Sequence, residues 1–150
     1  MEIILSSAKR GYGLKELMSS KEDEYWNSDD VLPHSITISF FRKTYVYSVN
    51  VFLSYSLDES YTPEKIIVYF DEQGIVREMT EINSKLDLKT RSYTFKEPEG
   101  EKSLMIDSHV YKIHIVILNN HSDGKDSHLR KLRVMSSPTE QINYDIDKFF

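Results

Sequence analysis

From Ser35 to Phe40 the chain alternates polar and apolar residues, placing Ile36, Ile38 and Phe40 on one side of an extended strand. A period of two is the signature of a half-buried β-strand, because successive side chains point to opposite faces. The pattern returns in Tyr45 to Leu53, where Val49, Val51 and Leu53 share one face and Ser48 and Asn50 the other. Phe41-Arg42-Lys43-Thr44 reads as the turn between these two strands. Lys65 to Phe70 is apolar on both faces, as in a central strand, and Asp71-Glu72-Gln73-Gly74 is a turn signal. Further strands are expected at Ile3 to Leu5, Ile75 to Ile82, Arg91 to Phe95, Leu104 to Asp107 and Val110 to Leu118. Lys96 to Lys102 reads as a charged loop, and Asn83 to Thr90 carries no clear pattern. Leu132 and Val134 pack inward from a last core strand, with Lys131 and Arg133 outward. Leu14 to Met18 has the i, i+3, i+4 spacing of a short N-terminal helical segment. Ten Tyr and seven Phe against five Gly favour strands over helices. Seven or eight short strands broken by loops predict an all-β fold, a β-sandwich of jelly-roll type.

A length of 150 residues suits one domain with a real core. The net charge of −5 argues against general affinity for nucleic-acid phosphates or an anionic membrane. No run approaches the roughly 18 apolar residues of a membrane-spanning helix. The absence of cysteine excludes disulfides, thiolate metal sites and cysteine nucleophiles, and fits an intracellular protein.

Function points to the polar stretch Asn119 to His128, which separates two apolar alternating runs and holds two His, two Asp, two Asn, a Lys and one Gly. A tight turn needs two to five residues. Ten suggest a binding loop held by two buried strands, although a solvated hairpin loop fits the composition equally. Gly124 is expected to take φ > 0 and fold the loop back, with Asn120 and Asp123 bonding nearby backbone N–H groups. Trp26 is expected to close one end of the core; the alternative makes it a stacking surface. Three chemistries compete for these residues. His121, Asp123, Asp126 and His128 are zinc-ligand types on one loop. Trp26, Tyr61 and His121 would make a sugar-stacking platform. Ser, His and Asp are all present for a hydrolase, but without a motif that activates a nucleophile.

Several motifs occur in one order. They are Ser6-Ser7-Ala8-Lys9-x-Gly11-Tyr12-Gly13-Leu14, Trp26-x-Ser28-Asp29…Pro33-His34 and Phe41-Arg42-Lys43-Thr44, then Asp58-Glu59-Ser60-Tyr61-Thr62-Pro63 and Asn120-His121-x-x-Gly124-Lys125-Asp126-x-His128-x-Arg130. Together they resemble the Doc domain of the anaphase-promoting complex, over nearly the whole chain. The resemblance implies a galactose-binding-like jelly roll over 1–138 that is not an enzyme and needs no cofactor or metal. It implies a subunit that helps a co-activator hold destruction-box degrons and raises the processivity of ubiquitin transfer in cell division. By the same resemblance, degron contact falls on Asn120, His121, Asp123, Lys125, Asp126 and His128, and on Ser60, Tyr61 and Thr62. Family members carry Arg where this chain has Lys125, which exchanges a planar fork for a point charge. The family's Ile-Arg tail docks on a scaffold subunit; here that role falls to Phe149 and Phe150, in a C-terminal tail over 139–150 expected to be flexible. Partners are then the co-activator and scaffold subunits and substrate peptides, in nucleus and cytoplasm, with neither nucleic acid nor membrane.

Overall fold

The computed structural model describes residues 1–74 and 88–143. The expected strand at Ile75 to Ile82, most of the unpatterned segment after it, and Phe149 and Phe150 lie outside the described residues.

Seven strands are present among the described residues: β1 (Glu2–Leu5), β2 (Trp26–Asn27), β3 (His34–Ser54), β4 (Pro63–Asp71), β5 (Lys89–Thr94), β6 (Glu99–Asn120) and β7 (His128–Met135). One helical turn, α1 (Leu14–Leu17), follows β1, and another, α2 (Tyr55–Asp58), follows β3. All pairings are antiparallel, in the order β2-β7-β3-β6-β4-β5, with β1 added to β3.

Two strands of more than twenty residues replace the short ones expected. β3 absorbs the supposed turn at Phe41–Thr44, and β6 absorbs both the charged loop from Glu99 and the break after Asp107. The first half of β3 pairs with β1 and the second half of β6, which in turn pairs with β4. The second half of β3 pairs with β7 and the first half of β6. The two long strands thus pass together from one layer to the other. The crossing is marked by a register shift between Ser39 and Thr44 and by a left-handed Asp107 (φ 45°). Bulges bend strands without ending them, and a bend of this kind is hard to tell from a turn in sequence.

Between the layers lie Ile36, Ile38, Val46, Val49, Val51, Leu53, Ile66, Val68, Leu104, Ile106, Ile113, Ile115 and Leu132, all essentially inaccessible. Trp26 closes one end of this core as expected: its ring is fully buried and its indole N–H donates to the Ser7 carbonyl (2.8 Å). Contacts with β7 continue past the expected boundary at Pro138, because Ile142 N–H donates to the Val134 carbonyl (2.7 Å) and its side chain packs on the core.

His114 occupies the outer face of the first layer, in register with Thr37 and Tyr69. Its Nδ1 lies 3.3 Å from Thr37 Oγ1. Burial, reinforced by Lys112 and opposed by Asp71, pushes its pKa from 6.5 down to about 4. The unfolded chain therefore binds a proton that the folded chain refuses. Stability is complete above pH 6.5 and falls as pH drops toward 4, by up to about 3 kcal/mol. Urea denaturation across that range should show the loss, and His114→Phe should abolish it; an unchanged slope in that variant would assign the effect elsewhere.

Candidate functional site

Three segments converge at the end of the sandwich where β3 begins and ends: the approach to β3, the helical turns after it, and the β6–β7 connection. The connection is shorter than the ten polar residues suggest, since β6 runs to Asn120 and β7 starts at His128. It opens with a 3-10 turn, His121–Asp123.

Gly124 does not serve the purpose expected of it. Its φ is −60°, and the left-handed residues are Ser122 (φ 52°) and Asp123 (φ 56°). What Gly124 supplies is the missing side chain: a Cβ there would lie 1.7 Å from the Ser60 carbonyl oxygen. The β6–β7 connection thus lies directly against a second 3-10 turn, Glu59–Tyr61, and His121 N–H donates to the Thr62 carbonyl (2.9 Å) beside it. Asn120 acts through its donors rather than by capping N–H groups. Its Nδ2 donates to the carbonyls of Gly124 (3.0 Å) and Asp126 (3.1 Å), while its Oδ1 accepts from Ser127 Oγ (2.6 Å). The third segment is laced in by Ser28, whose Oγ donates to Asp126 Oδ1 (3.0 Å) and accepts from Ser127 N–H (2.9 Å). His34 Nε2 reaches the Lys125 carbonyl at 2.6 Å.

A charged cluster underlies this frame. Arg130 grips the buried Asp58 carboxylate with Nε (3.2 Å to Oδ2) and Nη2 (2.5 Å to Oδ1), and His128 Nδ1 lies 3.0 Å from Oδ1. Arg130 Nη1 also donates to the Glu22 carbonyl, and its guanidinium stands 4.6 Å from the Tyr25 ring centre. His128 is sandwiched between Tyr25 and Tyr61, each 4.2 Å away, with Tyr61 nearly parallel at 14°. Burial of Asp58 acts to raise its pKa, but the hydrogen bonds from His128 and Arg130 and the guanidinium charge outweigh it. The carboxyl is held below its ordinary value.

The expected site residues therefore divide by depth. Asp123 and Lys125 are exposed, as is Tyr61 at 43%; Ser60 and Asp126 are half-buried. Asn120, His121, Thr62 and His128 are buried beneath them. His121 packs edge-on against Tyr55 (5.1 Å) and has Nδ1 3.6 Å from Glu64 Oε2. Sequence reasoning passed over Asp58 and Arg130 as site residues, yet a signal was present. In sequence Arg130 falls two residues before Leu132, in the spacing of the inward set, and a charge so placed demands a buried partner. In the structure a register shift beside left-handed Lys131 sets Arg130 opposite Phe52, off the core face, where Asp58 is the partner that buries with it.

The rival chemistries find no support in this geometry. Trp26 and His121 are buried, so the sugar-stacking platform is not formed. Among the described residues no group of three or more His, Asp or Glu is placed to hold a metal; His121 turns to Glu64 and His128 to Asp58. The Asp58–His128 pair resembles part of a hydrolytic triad, but His128 Nε2 has no hydrogen-bond partner and hence no hydroxyl to activate.

Comparison with known proteins agrees with the order of motifs. The family described as "Anaphase-promoting complex, subunit 10 (APC10)" matches residues 1–149. Anaphase-promoting complex subunit 10 of Drosophila melanogaster is 33% identical over 151 residues, covering 97% of this chain and 72% of that protein. The Homo sapiens protein of the same name is 34% identical, covering 97% and 75%. Among solved structures, a family 32 carbohydrate-binding module from Clostridium perfringens NanJ, in complex with galactose, superposes with a TM-score of 0.65 over 89% of this chain and 91% of that one. At 16% identity it speaks for the jelly-roll fold alone.

Proposed function

The chain belongs to the family of anaphase-promoting complex subunit 10, and on that premise we propose that its rim of fused loops forms part of the binding site for destruction-box peptides, the remainder being supplied by a co-activator. It is a non-catalytic, intracellular subunit of the complex, and we assign it to nucleus and cytoplasm. The observation that carries the reading is the contact of Gly124 on Ser60, which joins two loops into one surface. Exposed Tyr61, Asp123 and Lys125 offer an aromatic face and both charge signs to an extended peptide, whose backbone presents donors and acceptors alike. Buried Asn120, His121, Thr62 and His128 serve as positioning residues, and Ser60 and Asp126 sit at the edge between the two sets.

Replacing Tyr61, Asp123 and Lys125 together by Ala should lower the processivity of ubiquitin transfer to a destruction-box substrate about tenfold, the loss expected when anchor side chains are removed. Thermal stability should hardly change, because surface substitutions seldom move it by more than about 0.5 kcal/mol. The measurement is the chain-length distribution on substrate with the reassembled, co-activator-bound complex. Wild-type processivity in the triple variant would refute the assignment.

A further inference from the structure

We infer that the corner of β3 at Phe40 to Lys43 is a docking knob for another protein subunit of the complex, one presenting an apolar pocket edged by carboxylates. The corner lies at the opposite end of the sandwich from the Gly124–Ser60 rim, since β3 starts beside Lys125 at His34, reaches the corner, and returns to α2 at Ser54. Between the pairs Ser39–Lys112 and Thr44–Val110, four residues of β3 face one of β6, so the extra backbone is pushed out of the sheet. Thr44 Oγ1 donates to the Arg42 carbonyl (2.7 Å) and holds that shape. At its tip Phe41 is 84% exposed, the most exposed large hydrophobic side chain among the described residues. A ring kept in water forgoes its burial free energy, and a fixed protrusion carrying such a ring suits insertion into a partner's pocket.

The partner's charge follows from the neighbours. Arg42 and Lys43 flank the ring and are both exposed. Lys43 Nζ stands 6.0 Å from the Tyr111 ring centre, and the acid that feels its charge, Glu72, is shared with Lys89. Among the described residues, each nearby carboxylate has another partner. Asp107 accepts from Tyr45 OH (2.5 Å), Asp71 accepts from the N–H groups of Gln73 and Gly74 (2.8 and 3.1 Å), and Glu72 pairs with Lys89 (2.9 Å). Among the described residues, exposed Glu2, in register with Ser39, is the remaining acid near the two cations. On a chain of net charge −5 this is a local positive patch around an aromatic tip. An anionic membrane would match it in sign, but the overall charge repels such a surface, whereas membership of a multi-subunit complex supplies protein neighbours.

The test uses the full-length tagged chain expressed in its source cells and the co-purifying subunits of the complex, quantified by mass spectrometry. Phe41→Asp and the pair Arg42→Glu/Lys43→Glu should each reduce recovery of those subunits about tenfold or more, while Phe41→Leu retains it and the melting temperature stays unchanged in all three. The triple variant at Tyr61, Asp123 and Lys125 should recover the subunits normally, which keeps this surface distinct from the peptide rim. Wild-type recovery with Phe41→Asp and with the charge reversal would overturn the proposal. So would sedimentation of the wild-type chain with phosphatidylserine vesicles that is lost in Phe41→Asp.

Discussion

Gly124→Ala should cost about 2–3 kcal/mol of stability, in the range for a side chain forced into a filled space, and should abolish processive ubiquitin transfer. The new methyl would lie 1.7 Å from Ser60 O and 2.7 Å from Ser60 C, so backbone rather than a side-chain tip must give way. Neither strand of the contact is free to retreat. Thr62 N–H donates to the Glu59 carbonyl (3.0 Å), the Thr62 carbonyl accepts from His121, and Asn120 holds the far side through Gly124 and Asp126. The cost is purely steric, because φ −60°, ψ 145° is open to alanine. Ser122→Gly is the matching control: it relieves a left-handed residue and should leave stability within about 1 kcal/mol. Urea denaturation and substrate chain-length assays on both variants decide the matter. Gly124→Ala with wild-type stability would mean that the two loops do not touch.

Arg130→Ala should be the most destabilising side-chain truncation at this end, by about 3–5 kcal/mol, the usual cost of stranding one member of a buried ion pair. It removes two hydrogen bonds to Asp58, one to the Glu22 carbonyl and the cation over Tyr25. The double variant Asp58→Leu/Arg130→Met should be milder than Arg130→Ala, since no unpaired charge is left behind. The pH dependence carries a second signature. Asp58 titrates below its ordinary value, so its contribution is present above about pH 3.9, the unfolded value, and is lost as pH falls through the folded one. Removing Arg130 raises the folded pKa and shrinks that acid-labile contribution. Denaturation at pH 7 and pH 3 measures both effects, and an Arg130→Ala loss equal to that of the double variant would argue that the pair is not sealed from water.

Much of the architecture was legible in the alternation of Ile36, Ile38 and Phe40 and of Val49, Val51 and Leu53, because a one-residue slip would turn each set outward. What misled was Phe41-Arg42-Lys43-Thr44 and the Pro98–Gly100 segment, whose composition is that of turns. Whether such residues end a strand or bulge it depends on the partner strand, and β6 has a matching crossing at Asp107 that no local window reveals. At the rim, the order of motifs named three segments that the structure brings together. It left undecided which side chains face water, because the depth of Asn120 and His128 is set by where Ser28, Asp58 and Tyr61 arrive from elsewhere in the chain.

The continuity of β3 also limits how this chain can change over generations. A residue gained or lost between Val46 and Ser54 would reverse the facing of Val49, Val51 and Leu53 and displace the Ser54 hydroxyl, which accepts from Leu57 N–H (3.4 Å) at the start of α2. The same event between His34 and Ser39 would carry His34 off the Lys125 carbonyl. The corner, already holding four residues against one, is the place along β3 where length can drift without disturbing the fold. Among relatives the two halves of the strand should therefore keep their spacing, and any change of length at the corner would be limited by what docks there and not by the fold.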